Sequence, residues 1–285
     1  MIDAHMHLWN LEHGEYPWLM KQDPLIVSLL GDYNKICHDF LIEDYLALIK
    51  SHHIKKCIHI EAHAEKKKAL LETMWVQKQA DTYGFPQGIV ASVDLRDSDL
   101  ENVLKDQCQF PNIRGIRQTL IGQEELLIDY RWQKGLKLLS KYNLSFDLEM
   151  TNDFLDNAIP IVKEYSDVRF ILDHFGLPQD VSEKGLVIWK ERLERLREHS
   201  NAYLKLSGIG FVFQGKETEN RKKFLRMAVE IFGEDRCLFG SNMPVDSLFL
   251  SFEQIIEIFK DAFSDLDEKI QHKLFYENAN EVYQL

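Results

Sequence analysis

The sequence opens MIDAHMHLW, a short apolar run that carries two imidazoles, His5 and His7, two residues apart. Residues at i and i+2 of a strand share a face, so the two rings can converge on one point. Imidazoles at that spacing suit a metal ion, and imidazole combined with carboxylate suits Zn²⁺ or Mn²⁺. Glu61, His63, Asp147, Glu149 and His174 lie on other short apolar runs and are the candidates to complete such a ligand set. Without an ion, the same histidines would hold substrate oxygens. Further polar groups close other runs in the same way: Arg117 with Gln118, Asp173 with His174, and Asn242 ahead of Asp246. Lys205 and Ser207 share one face of their run, and Lys205 reads either as a substrate contact or as an ion-pair partner.

The elements that must position these groups recur along the chain. Apolar or alternating runs at 2–9, 55–63, 88–95, 113–118, 144–150, 168–176, 202–208 and 237–242 read as strands, and helix-period stretches separate them. About eight alternations of strand and helix imply parallel strands with helical crossovers. In this length they fit a closed (β/α)8 TIM barrel better than an open doubly wound sheet, and no GxGxxG follows the first strand. The chain reads as one domain over 1–285 with an extra C-terminal helix. Alternation places Asp3, His5 and His7 opposite Ile2, Ala4, Met6 and Leu8. It also places His59, Glu61 and His63 opposite Ile58, Ile60 and Ala62. The polar set is expected inside the barrel, because the other face must meet the helices. Residues 10–40 form a long connection rich in aromatic and apolar residues, Trp18 among them. It is expected to cover the mouth of the barrel and set Trp18 against the substrate.

Bulk composition narrows the partners. The net charge of −12 and a sequence pI near 5.4 disfavour nucleic acid and anionic membrane surfaces. Four scattered cysteines with no CxxC pair indicate neither a zinc knuckle nor a disulfide framework, which suits a reduced cytoplasmic setting. Cys57 and Cys237 read as core fillers. No signal peptide and no membrane span is expected. The mean hydropathy of −0.30 is that of an ordinary globular chain.

Four motifs in this order, DAHMHLW, ILDHFGLP, YLKLSG and FGSNMPVD, resemble the amidohydrolase-2 branch of the amidohydrolase superfamily, and within it the lactonase-like group. IRGIRQ and ASVDL fall at the expected places, and the resemblance extends to the C-terminal ENANEVYQL. It implies His5 and His7 as metal ligands or polar contacts, with His174 polarising a carbonyl or positioning water. Arg117 would bind a substrate carboxylate or hydroxyls. Asn242 stands where an aspartate commonly serves as general base or metal ligand, and an amide cannot accept a proton at neutral pH. The run at 144–150 also lacks the histidine of the superfamily's metal pattern.

The expected activity is therefore hydrolysis of a small cyclic ester, the lactone of a sugar acid or of an aromatic-degradation intermediate. A carboxylate from Asp246, Glu61 or Glu149 would replace the missing base. Arg117, Trp18, Glu149 and Lys205 would bind the substrate, which is expected to be anionic or polyhydroxylated. The expected cofactor is a divalent metal or nothing, with no organic cofactor; a homo-oligomer is compatible with the sequence. The alternatives are a metal-dependent decarboxylase of the same branch, and a degenerate barrel that only binds a small ligand.

Overall fold

The computed structural model describes residues 1–12, 15–214 and 218–285. Eight short strands form one sheet in sequence order: β1 (Ile2–Met6), β2 (Lys56–Ile60), β3 (Gly88–Ser92), β4 (Ile113–Arg117), β5 (Ser145–Leu148), β6 (Phe170–Leu172), β7 (Ala202–Leu206) and β8 (Cys237–Phe239). Every neighbouring pair is parallel. Just beyond the strand ends, β1 and β8 close the ring: His7 N donates to Met243 O at 2.7 Å, and Asn242 N donates to His5 O at 2.7 Å. The architecture is a (β/α)8 TIM barrel.

The helices are α1 (Pro17–Met20), α2 (Pro24–Leu30), α3 (Ile42–Ile49), α4 (Ala69–Tyr83), α5 (Leu100–Gln107), α6 (Tyr130–Lys141), α7 (Leu155–Glu164), α8 (Glu183–Arg197), α9 (Ile209–Phe213), α10 (Thr218–Phe232), α11 (Phe252–Phe263), α12 (Glu268–His272) and α13 (Asn278–Val282). One turn of π-helix, Lys273–Glu277, joins the last two. Local sequence explains several boundaries. Ser251 and Gln254 form a reciprocal cap at the start of α11, and Gly84 ends α4 in the left-handed conformation. None of the described helices is long and apolar enough to cross a membrane.

The apolar residues divide into two clusters. The larger joins one face of the strands, including Phe146, Phe170, Leu204 and Phe239, to the helices. The smaller joins Ile2, Ala4, Ile58, Ile60, Val90, Ile171 and Leu238 to Ala279, Val282 and Tyr283. Residues from strands on opposite sides of a ring can meet one another only in its lumen, so this cluster fills the lower barrel. The C-terminal segment plugs that end. Lys56 Nζ, at the start of β2, donates to Leu285 O at 3.0 Å, and Tyr283 Oη donates to Asp147 Oδ2 at 2.7 Å.

This plug corrects the expected facing of the first two strands. Ile58 and Ile60 point into the lumen, and His59 points away from it, its Nδ1 accepting from Leu8 N at 3.1 Å. In β1, Asp3 lies opposite Cys57 but Met6 lies opposite His59, so β1 carries one extra residue. Ile2 and Ala4 therefore face the lumen at the bottom, while His5 faces inward above the irregularity. Asp3 does not share the histidines' face. It accepts from Ser241 N at 2.7 Å, Ser241 Oγ at 2.6 Å and Tyr45 Oη of α3 at 2.9 Å. Asp3 is a clasp across the β1–β8 seam.

Candidate active site

A cavity of about 280 Å³ opens at the C-terminal ends of the strands. His7, Arg117, Glu149, His174 and Asn242 stand on its wall, each just beyond or at the end of its own strand. The long first connection covers it: Trp18 of α1 and four residues of α2 line the cavity from above. Trp18 Nε1 donates to Ala62 O at 2.9 Å, and its ring packs on Trp9 and Tyr33. His63, His174 and Asn242 have φ of 56°, 53° and 59°. Non-glycine residues avoid this region, and three at one barrel mouth mark a site where surrounding contacts impose the backbone.

The imidazoles pack against one another. His7 Nδ1 meets Ile60 O at 2.8 Å, which makes Nδ1 the protonated nitrogen and leaves Nε2 as a lone pair. That Nε2 lies 3.2 Å from His5 Nε2. His174 Nδ1 lies 2.9 Å from Ser207 Oγ, and the His5 and His174 ring centroids are 4.5 Å apart. Burial holds His5 and His7 well below the usual imidazole range and lowers His174 to about 4, so all three are neutral at pH 7. Gly240 makes this crowding feasible, because a Cβ there would sit 2.8 Å from that of His5.

Beneath the histidines lies a buried charge network. Lys205 Nζ bonds Asp147 Oδ2 and is 2.9 Å from Asp173 Oδ1. Asp173 Oδ1 is in turn 3.4 Å from His5 Nδ1. Burial pushes the Asp173 carboxyl up, but Lys205 and His5 outweigh it and hold the group well below the usual carboxylate range. Asp147 has less compensation, and burial raises it to about 6.

Arg117 organises the other half of the site. Its Nε donates to Glu61 Oε1 at 2.8 Å, Nη1 to Glu149 Oε1 at 3.1 Å and Nη2 to Glu61 O at 2.6 Å. Asp173 Oδ2 is 3.6 Å from Nη1. His63 sits between the two glutamates, its Nδ1 3.7 Å from Glu61 and its Nε2 3.6 Å from Glu149. Burial lowers the His63 pKa, but the two carboxylates more than reverse this and the net direction is upward. Burial alone would raise Glu149; Arg117 and His63 together hold it below the usual range.

Of the candidates drawn from sequence, His7, Trp18, His63, Arg117, Glu149, His174 and Asn242 reach the cavity wall. His5 lies directly behind them, fully buried. Glu61 lies behind the wall and is bonded to Arg117. Lys205 is not a substrate contact: it is fully buried in the lumen, with both its acids beneath the wall. Asp246 is not on the wall either. Its carboxylate accepts from Gly210 N at 2.7 Å, Phe211 N at 3.3 Å and Asn242 Nδ2 at 2.9 Å, which ties α9 to the end of β8. Burial raises its pKa to about 7. Its bond to Asn242 turns the amide so that Oδ1 is the group left to accept from a ligand.

The residues underweighted in sequence are His63 and Asp173. Asp173 adjoins His174 at a strand end, a signal that was visible. The ordering of His63 by Glu61, Glu149 and Arg117 needs three strands in space and has no local signature. Among the described residues, His5, Asp173 and His174 form one cluster whose ligand atoms lie within 4.8 Å of one another. Asp173 Oδ1 is already paired with Lys205 Nζ at 2.9 Å and lies 3.4 Å from His5 Nδ1, while Asp173 Oδ2 is buried without a hydrogen-bond partner. Two neutral imidazoles and a carboxylate with an unsatisfied oxygen fit a divalent cation. The sequence proposed His5 and His7, with His174, as ligands; His5 Nε2 and His7 Nε2 lie 3.2 Å apart, and Asp173 joins His5 and His174 as a ligand candidate outside that expected set.

Comparison with known proteins follows the same lines. The family model described as Amidohydrolase matches residues 2–285. The y4mH protein of Sinorhizobium fredii is 33% identical, covering 100% of this chain and 98% of its own length. L-fucono-1,5-lactonase of Burkholderia multivorans is 21% identical over 90% of this chain and 86% of its own. A crystal structure of an amidohydrolase from Burkholderia multivorans with bound zinc superposes with a TM-score of 0.85 at 21% identity, over 100% of this chain and 99% of that one.

Proposed function

We propose that this chain, which belongs to the amidohydrolase family, opens a small lactone by attack of water at the mouth of the barrel. The observation that carries the reading is the convergence at one cavity of neutral His174, the Asn242 carbonyl oxygen and His63 held between two carboxylates. An imidazole on a cavity wall, its pKa raised by two flanking carboxylates, is suited to take a proton and return it. It supplies the base that Asn242 cannot be, and Glu149 steadies the imidazolium that forms.

In the proposed reaction, Asn242 Oδ1 and His63 hold the water. Water oxygen bonds to the carbonyl carbon as its proton passes to His63. The ring C–O bond then breaks, and His63 returns the proton to the departing alkoxide. With Ser207 donating to Nδ1, His174 presents Nε2–H to the carbonyl oxygen where negative charge develops. A divalent ion held by His5, Asp173 and His174 would supply the same polarisation as a Lewis acid. Arg117 holds Glu61 and Glu149 in place and helps keep Glu149 charged.

The test is product analysis after incubation with γ- and δ-lactones, with released carbon dioxide recorded in parallel on aromatic carboxylates. Hydroxy-acid formation is expected. Carbon dioxide without hydroxy acid would replace this reading with decarboxylation, and neither product from folded protein would leave only a binding role.

A further inference from the structure

Three features of the cavity bear on what kind of lactone it takes. First, it has no cation to spare. Arg117 is the one lysine or arginine on the described part of the wall, it is only 1% exposed, and two glutamates, a backbone carbonyl and Asp173 already surround it. Glu149 and Asp23 also face the cavity, and His63, the other wall group whose pKa is raised, is itself held between Glu61 and Glu149, so a substrate carboxylate would meet net negative charge. Second, the upper wall is hydrocarbon. Leu25, Ile26, Leu29 and Leu30 of α2 face Leu177 and Phe211. The α2 sequence PLIVSLL is apolar apart from one serine, yet none of its residues is buried. Leu25 is exposed and Ile26, Leu29 and Leu30 are only partly buried, which leaves aliphatic surface at the cavity for a ligand to cover. Third, a neighbouring cavity of about 430 Å³ shares Leu29, Leu177 and Phe211 with the first. Its other described lining, such as Ser28, Gln179 and Gln214, carries no formal charge.

We infer that the substrate is an uncharged lactone bearing an aliphatic or aryl substituent, with the ring at the histidines and the substituent between α2 and Phe211. The inference rests on the lactone-hydrolase reading for the ring, but the charge and shape of the wall carry it for the substituent. It departs from the anionic or polyhydroxylated substrate that the sequence suggested. That expectation used Arg117 and Lys205 as substrate contacts; of the readings open to Lys205 the ion pair is the one found, and both cations are consumed by buried acids.

The experiment compares kcat/KM for γ-butyrolactone and its 4-alkyl homologues with that for glucono-δ-lactone and a carboxylated γ-lactone. Each added methylene is expected to raise kcat/KM by about fourfold until the apolar wall is covered. The carboxylated lactone is expected at least about 100-fold below the best alkyl homologue. Leu29→Ser should flatten the rise along the alkyl series, because it removes wall that the chain would cover. Binding of 4-alkylcyclohexanones, which cannot be hydrolysed, is followed in parallel by tryptophan fluorescence. If no lactone turns over but alkylcyclohexanones still bind more tightly than carboxylated ketones, the hydrolase reading fails and the preference for a neutral, alkyl- or aryl-bearing ligand stands. Faster turnover or tighter binding of the carboxylated or polyhydroxylated compounds would overturn the inference, as would no binding of any neutral compound.

Discussion

Arg117 holds together more buried charge than any other described side chain, and that sets its energetic role. Removing it takes the guanidinium from buried Glu61 and Glu149, while Asp173 keeps Lys205. Breaking a buried ionic cluster by deleting one partner costs about 3–5 kcal/mol, because the remaining charges lose their compensation. Arg117→Met is expected to lower unfolding free energy by about that amount in urea denaturation; a loss under about 1 kcal/mol would mean the acids relax to water instead. Asn242 poses the opposite question. Its Nδ2 is 2.9 Å from buried Asp246, so aspartate at 242 would face a second carboxylate there. One of the two acids would have to hold a proton. Asn242→Asp should therefore lose stability progressively as pH rises through neutrality, and the swapped double variant, Asn242→Asp with Asp246→Asn, should recover most of it. No recovery in the double variant would refute the pairing.

At the scale of elements, the lid and the strand ends are joined through Glu72 of α4. Its carboxylate accepts from Ala62 N at 3.0 Å, and Tyr16, just before α1, is hydrogen-bonded to it. Burial pushes the Glu72 pKa up to about 8. The folded state thus keeps a proton that the unfolded state loses near the ordinary carboxylate value. Stability from this group is full below that value and falls as pH rises toward about 8. Glu72→Gln should flatten that part of the stability–pH curve, and an unchanged slope would show that Glu72 does not set it. The elements also explain what the sequence could and could not reveal. The inward facing of Asp147, Glu149, Lys205 and Ser207 follows from simple alternation. The facing of β1 and β2 does not, because an extra residue in β1 and an apolar plug from the far C-terminus reverse the expected pattern. A plug 220 residues distant along the chain leaves no mark in the local pattern of β2. Likewise, the types of Lys205 and Asp246 suggested contact with substrate, but only their partners in space show that each is already engaged.

For the whole molecule, the barrel is divided by height. Its floor is the apolar lumen sealed by Tyr283 and its neighbours, its middle is the layer of Lys205, Asp147 and Asp173, and its top is the cavity beneath the lid. Tyr283 joins floor to middle through its bond to Asp147, so Tyr283→Phe is expected to cost about 1–3 kcal/mol in thermal or urea unfolding. The charge layer in turn fixes Asp173 against His5, and through it the imidazoles on which the proposed chemistry depends. The most direct test of that chemistry is the rate of acid release from neutral lactones in a pH-stat, for the unaltered protein beside His63→Gln and His174→Ala, each checked for a native circular-dichroism spectrum. The account predicts measurable release that falls by about 100-fold or more in each variant. Unchanged release in both variants, or none from the unaltered protein, would contradict it.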